Sequence, residues 1–178
     1  LVGQDEGFGG STGWGCFPMV PWAGRIREGS FVGDGARVHL PIDADPHAIH
    51  GTTKDRRWEL VGPGRMTTDL GPNWPWRGTA THDVVLEADR LTMTIGIHAG
   101  QTMPVSAGWH PWFHRVLGGA EAEIDNPAER MWRKDADGIP DGTLVEPTPG
   151  PWDDCFTALI GPVVVRWPGV LDLVVESD

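Results

Sequence analysis

Residues 108–114, which read GWHPWFH, carry side chains whose types and spacing could do chemistry. Pro111 lacks a backbone N–H and pushes His110 out of the helical region, which excludes a helical pair of histidines. Side chains alternate between faces in an extended chain, so His110, Trp112 and His114 would share one face. An imidazole exchanges protons near neutral pH, and an indole offers a flat apolar platform. This face suits a ligand such as a sugar ring, and buried aromatics beside a surface histidine are the alternative.

A second candidate segment, residues 15–26, reads GCFPMVPWAGRI. Its two prolines exclude a helix interior and a central strand, so we predict an irregular loop. A loop that is rich in aromatic residues and ends at a single arginine, Arg25, is typical of a binding loop. A packed connector whose Arg25 faces solvent is equally compatible with the sequence.

Residues 47–58 contain two histidines three positions apart, His47 and His50. No cysteine, carboxylate pair or third histidine stands at ligand spacing nearby, so the sequence does not predict a zinc site. The cations of this segment are expected to form local ion pairs rather than a phosphate site. The cations are Lys54, Arg56 and Arg57, and the neighbouring carboxylates are Asp55 and Glu59.

Composition narrows the possible folds and partners. With 178 residues, the chain is long enough for one domain with a substantial core, and its 16 Pro and 25 Gly favour an all-β protein. A net charge of −11 argues against nucleic acid and anionic membranes as partners, and no apolar run is long enough to span a bilayer. Cys16 and Cys155 provide neither a disulfide framework nor a metal site, which predicts a reducing compartment, the cytoplasm.

Alternating apolar residues predict hairpins over residues 30–40, around Gly33-Asp34-Gly35, and over residues 81–99. Further strands are predicted at residues 58–61, 120–124, 130–133, 163–167 and 171–176. Loops or turn-rich segments are predicted at residues 1–12, 62–78 and 135–151.

Four motifs follow one another in a recognisable order: CFPMVPWAGRI at residues 16–26, HAIHG at 47–51, GWHPWF at 108–113 and DDCF at 153–156. In type and order they resemble the aldose 1-epimerase (galactose mutarotase-like) family. The chain begins at Leu1 without methionine, and the resemblance covers the middle of a family member. We therefore expect residues 1–178 to be a single but partial domain, without the family's opening strands and closing segment.

The resemblance implies an antiparallel β-sandwich, incomplete at both ends, whose sugar site is a cleft on one sheet. It implies an aldose substrate, no cofactor and no metal. The implied roles are a general acid on the ring oxygen for His110, a second site histidine for His50, sugar-hydroxyl binding for Arg25, sugar binding for Asp153, and an aromatic wall for Trp112.

The implied activity is interconversion of α and β anomers by acid–base opening and reclosure of the ring. The family's base is a Glu-Pro near the C-terminus; Glu146-Pro147 precedes the Asp153 motif, and Glu176 lacks the proline, so neither is assigned. Residues 1–178 by themselves are therefore expected to be a poor catalyst. Two alternatives remain. One is a non-catalytic carbohydrate-binding domain, and the other is a hexose-6-phosphate 1-epimerase that uses the cations of residues 54–57.

Overall fold

The structure, a computed structural model, describes residues 1–7 and 12–177, so part of the predicted loop at residues 1–12 lies outside it. The chain divides into two compact units, Leu1–Phe113 and His114–Asp178. The predicted antiparallel all-β class is confirmed, because every ladder between the described strands is antiparallel. Within the described residues, the helices are two 3₁₀ turns, Gln4–Glu6 and Arg27–Gly29, and neither could cross a membrane. That residues 1–178 form a single domain stays a prediction.

The first unit contains ten described strands in four small sheets. They are β1 (Cys16–Met19), β2 (Arg25–Ile26), β3 (Ser30–Gly33), β4 (Ala36–His39), β5 (Ala48–Ile49), β6 (Glu59–Gly62), β7 (Arg65–Asp69), β8 (Gly78–Leu86), β9 (Leu91–Ala99) and β10 (Gly108–Pro111). The ladders are β1–β10, β2–β5, β3–β4 and β6–β7–β8–β9. The first two ladders are short, and they carry the segments that the sequence marks for chemistry.

Turn chemistry explains both predicted hairpins. Between β3 and β4, Asp34 and Gly35 have φ of 50° and 73°, the left-handed pair that a tight hairpin turn requires. Between β8 and β9, the Glu87 N–H donates to the Arg90 carbonyl at 2.8 Å and closes the turn. The resulting β8–β9 ladder runs without a break from Gly78 opposite Ala99 to Leu86 opposite Leu91.

Tryptophan supplies much of the core of the first unit. Trp22, Trp74 and Trp76 are buried, with ring centroids 5.5 Å apart for Trp22 and Trp74 and 5.1 Å apart for Trp74 and Trp76. Phe31 stacks on Trp74 at 5.8 Å, and Ala80 of β8 is fully buried beneath this group. Packing therefore accounts for these indoles, since burying large rings contributes strongly to core stability.

The second unit contains eight described strands. They are β11 (Val116–Leu117), β12 (Ala120–Glu121), β13 (Glu123–Asp125), β14 (Ala128–Lys134), β15 (Pro140–Val145), β16 (Cys155–Leu159), β17 (Val163–Trp167) and β18 (Leu171–Val175). Their ladders are β11–β12, β13–β17–β18 and β15–β14–β16. Met131, Val165 and Trp167 are its buried apolar residues, and the Trp167 indole N–H donates to the His114 carbonyl at 3.1 Å.

Three segments that the sequence assigned to loops or turns contain strands. β1 includes Pro18, which is tolerated because this ladder has only two strands and so leaves an open edge. β7 lies within the turn-rich stretch. β15 lies within the loop at residues 135–151, and it is mostly exposed, so it lacks the apolar alternation that predicts a strand. The Asp135 carboxylate, which accepts the Asp137 and Ile139 N–H groups, forms the turn before β15.

Candidate active site

The β1–β10 ladder places an aromatic ring against the first candidate histidine. Phe17 lies opposite His110 in the register, and the two rings stack with centroids 4.8 Å apart and planes 12° apart. Directly opposite residues of an antiparallel pair project to the same face, which explains the stack. The extended conformation predicted from Pro111 is confirmed. Trp112 also lies 5.0 Å from His110, whereas Trp109 packs elsewhere, on buried His82 at 4.5 Å.

The indole of Trp112 is fixed by hydrogen bonds at its edge. Its Nε1–H donates to the Thr12 carbonyl at 2.7 Å, and its backbone N–H donates to the Gly15 carbonyl at 2.8 Å. Its own carbonyl accepts from the Val2 N–H at 2.8 Å. Because the polar edge is already engaged, a sugar ring would meet Trp112 through the carbon face of its indole, the usual geometry of stacking.

His50 meets His110 edge to face, with ring centroids 5.1 Å apart and planes 77° apart. Its backbone N–H donates to the Gly24 carbonyl at 3.0 Å, and its Nδ1 accepts the Gly24 N–H at 3.2 Å. An imidazole nitrogen that accepts a hydrogen bond carries no proton, so the neutral ring holds its proton on Nε2. His50 is therefore arranged as a hydrogen-bond donor through Nε2.

Arg25 stands beside this pair. It lies in β2 opposite Ile49 of β5, the residue before His50, and its side chain is exposed. Its positive charge helps to lower the pKa of His50. A guanidinium offers several N–H donors in a fixed plane, so Arg25 is placed to bind hydroxyl oxygens next to the two imidazoles.

Both histidines are held toward their neutral forms. Burial lowers the pKa of His50 to about 4, and the charges of His110, Lys54 and Arg25 act in the same direction against the opposing effect of Asp43. Burial also lowers the pKa of His110, although its own backbone carbonyl partly offsets this. The His110 Nδ1 is buried and has no well-aligned hydrogen-bond partner among the described residues. Its Nε2 is therefore the nitrogen available to a ligand.

The depressed pKa of His50 predicts that stability falls in mild acid. Its pKa is about 4 in the folded chain and near 6.5 when unfolded, so between these values the unfolded state binds more protons. The free energy of unfolding should thus decrease as pH falls from about 6.5 to about 4, by roughly 1–2 kcal/mol after discounting for partial exposure. Urea denaturation at pH 7 and pH 4.5 measures the loss. Between these two pH values, His50→Gln should lose less unfolding free energy than the unmodified chain and than His98→Gln, the control at an exposed histidine. Equal losses in all three proteins would contradict the assignment of the pH dependence to His50.

A sequence model of the aldose 1-epimerase family matches residues 1–166. The chain belongs to the aldose 1-epimerase family. It is 32% identical over 114 residues to the uncharacterized protein YphB of Escherichia coli K12, covering 59% of this chain and 39% of that protein. It is 26% identical over 135 residues to galactose mutarotase of Rattus norvegicus, and this match covers 68% of this chain and 40% of the rat protein. The chain thus spans about two fifths of the length of these curated relatives.

Solved structures have the same fold. A putative aldose 1-epimerase from Escherichia coli K12 superposes with a TM-score of 0.74 at 23% identity, over 89% of this chain and 60% of that one. A galactose mutarotase-like protein from Clostridium acetobutylicum superposes with a TM-score of 0.65 at 19% identity, over 78% of this chain and 47% of that one. The chain therefore has the galactose mutarotase-like fold that its motifs imply.

Asp153, the fifth residue that the family pattern marks, lies in the second unit, just before β16. Its side chain is 87% exposed, the Lys134 ammonium contacts its backbone carbonyl, and its carboxylate lies 3.8 Å from that ammonium. That Asp153 joins the histidines at one sugar site stays a prediction.

Glu146 and Glu176, the two glutamates weighed as possible bases, are both exposed.

Two cations of the basic cluster, Lys54 and Arg56, form ion pairs, and their nearest carboxylates are more distant in sequence than we predicted. Lys54 pairs with Asp43, and Asp55 lies 3.9 Å from its ammonium. One Arg56 nitrogen contacts both Asp69 carboxylate oxygens at 2.7 Å. In the described part of the chain, no group of three His, Cys, Asp or Glu residues could hold a metal ion.

Two contributors to the site were missed by the sequence analysis. Phe17 stands within the first motif, and its pairing with His110 could have been predicted only if the β1–β10 register had been known. Lys54 contacts the backbone on both sides of His50.

Cys16, beside His110, takes no part as a thiolate near neutral pH, because burial raises the pKa of its thiol to about 11.

Proposed function

We propose that this chain binds a free aldose and promotes interconversion of its α and β anomers. The observation that carries the proposal is the edge-to-face pair of His50 and His110, with Trp112 and Arg25 beside it. Family membership supports the reaction class. Similarity to the galactose mutarotase of Rattus norvegicus supports a hexose such as galactose as the first substrate to test.

Anomer interconversion requires two proton transfers around one bond. The bond between the anomeric carbon and the ring oxygen breaks while the ring oxygen gains a proton and the anomeric hydroxyl loses one. The open-chain aldehyde then rotates and recloses on its other face. In this proposal His110 gives the proton to the ring oxygen through Nε2, since its Nδ1 is buried. The anomeric hydroxyl proton must pass to a base, a role that the resemblance gives to the family's Glu-Pro glutamate and that is not assigned to a residue here.

The lowered pKa of His110 suits this role. A group whose protonated form is destabilised by burial is a stronger acid when it carries a proton, although a smaller fraction is protonated at pH 7. The neutral His50 donates its Nε2–H to a sugar oxygen, and Arg25 binds neighbouring hydroxyls. Such directional contacts hold the ring so that its oxygen faces the acid.

The proposal is tested by NMR on freshly dissolved α-galactose and α-glucose with and without the protein. The anomeric protons of the two anomers are resolved, so the rate of approach to equilibrium is measured directly. Because no base is assigned among these residues, we expect only a small rise above the buffer background, in proportion to protein concentration. A rate equal to background, with the sugar present well above any measured dissociation constant, would refute catalysis by this chain.

The second candidate is a non-catalytic carbohydrate-binding domain on the same fold. It is favoured by the neutral state of both histidines, because neutral imidazoles can bind hydroxyls without transferring a proton. Sugar-induced quenching of tryptophan fluorescence without acceleration of anomer exchange would select it.

A hexose 6-phosphate site gains no support from Lys54 and Arg56, because both already contact carboxylates. Both cysteines are free, which supports a reducing compartment, and a cytoplasmic location stays a prediction.

A further inference from the structure

The backbone that carries His50 adopts a conformation that needs support from its surroundings. His50 has φ of 59°, in the left-handed region that residues other than glycine rarely occupy, and Gly51 follows with φ of 82°. Such conformations cost about 1–3 kcal/mol each for a residue other than glycine and persist where neighbouring contacts determine them. The contacts around residues 49–51 therefore decide where the His50 ring points.

One side chain contacts this turn on both sides of His50. The Lys54 ammonium donates to the Ile49 carbonyl at 3.0 Å and to the Gly51 carbonyl at 3.4 Å. It also pairs with the Asp43 carboxylate, and its side chain is only 11% exposed. The second Asp43 oxygen accepts the Ile49 N–H at 2.8 Å. The Asp43–Lys54 pair thus binds the backbone of residues 49–51 through three hydrogen bonds.

This arrangement differs from an ordinary surface ion pair, which contributes little to stability because solvent competes for both partners. Here the cation is largely withdrawn from solvent, and its remaining N–H donors bind the carbonyls that flank one histidine. Arg56, two residues further along, provides the contrast. Its partner is Asp69 of β7, and each side chain of this pair is more exposed than its counterpart in the Asp43–Lys54 pair.

We propose that Lys54 is a positioning residue, which holds the turn at residues 49–51 so that His50 Nδ1 accepts the Gly24 N–H and His50 Nε2–H faces the ligand. The part of this inference that concerns catalysis rests on the proposed function, whereas the part that concerns the His50 ring does not. The charged and titratable groups that act on His50 are His110, Lys54, Arg25 and Asp43. Lys54 and Arg25 favour the neutral ring, and Asp43 opposes them.

The test that does not depend on activity is an NMR titration of the His50 imidazole, assigned from the signal missing in His50→Gln. In Lys54→Met, the pKa of His50 should rise, because a positive neighbour is lost and the Asp43 charge is left unpaired. The Gly24 amide should also exchange faster with solvent, because its bond to Nδ1 is loosened. Lys54→Arg, which keeps the charge and the donors, should restore most of both properties.

The matched control is Arg56→Met, which removes a cation from the same loop and breaks an ion pair of its own. It should leave the pKa of His50 and the Gly24 exchange rate unchanged. Should Lys54→Met fail to fold, Asp43→Asn supplies a second route, since it keeps the size of the side chain but removes the charge partner of Lys54. Faster Gly24 exchange in Asp43→Asn would support the proposal, and unchanged exchange would overturn it.

Anomer exchange supplies the catalytic readout. If the chain is active, Lys54→Met should lower kcat by up to about 100-fold, the scale reported for small misplacements of catalytic groups, with a smaller change in KM. Absence of activity in the unmodified chain would refute the proposed function but leave the NMR test intact. An unchanged pKa of His50 and unchanged Gly24 exchange in a folded Lys54→Met would refute the positioning role, whatever the activity.

Discussion

In a protein that also carries the base, replacing His110 by asparagine should lower the rate of anomer exchange by roughly 10²–10⁴-fold, the usual contribution of one acid–base group. Asparagine fills part of the imidazole's space and can still form hydrogen bonds, but it cannot deliver a proton. Sugar affinity should change less, because Arg25, His50 and Trp112 remain in place beside it. Polarimetry on fresh α-galactose measures the rate, and titration of tryptophan fluorescence measures affinity.

His98→Asn is the matched control for the acid. His98 is exposed on β9 and pairs with Thr79 of β8, so the same substitution there should leave the exchange rate unchanged. Equal rates for the His110 variant and the unmodified chain would remove His110 from the mechanism. Equal loss of rate and affinity would instead make His110 a binding residue, which would favour the carbohydrate-binding alternative.

Replacing Gly51 by alanine should lower the free energy of unfolding by more than about 4 kcal/mol, or prevent folding. A Cβ at this position would lie 2.0 Å from the Val20 carbonyl oxygen and 2.4 Å from the Val20 carbonyl carbon. Both are backbone atoms, so no side chain can rotate away. Val20 is fully buried, and its carbonyl also accepts the Thr52 N–H at 2.9 Å, so any shift would disturb the core. Urea denaturation at pH 7 measures the change.

Gly35→Ala separates the clash from backbone strain. Gly35 also has a positive φ, 73°, but a Cβ there would meet nothing within 4 Å. The expected cost is therefore only that of the left-handed conformation, about 1–2 kcal/mol. If the two variants lost the same stability, the close approach of Gly51 to Val20 would not matter energetically.

Residue types and local spacing were enough to predict several features. Pro111 determines that His110 is extended, because the constraint acts within two residues. Asp34-Gly35 determines a hairpin, since both residues accept a left-handed backbone. The order of the four motifs was enough to identify the family, which the match over residues 1–166 confirms. Polar exposed strands such as β15 escaped prediction, because without a buried face they show no apolar alternation.

The tertiary structure alone decided how the candidate residues meet. Phe17 reaches His110 through a strand register, and His50 reaches His110 through a turn, and neither relation has a local signal. The sequence suggested Asp55 as a partner of Lys54, but folding brings Asp43 closer. The low pKa of His50 arises from burial and from charges contributed by other segments. The sequence therefore determined which chemical groups are present. Long-range packing decided which groups become neighbours, and it also set the pKa values of the histidines, because distant residues exclude solvent from the imidazoles.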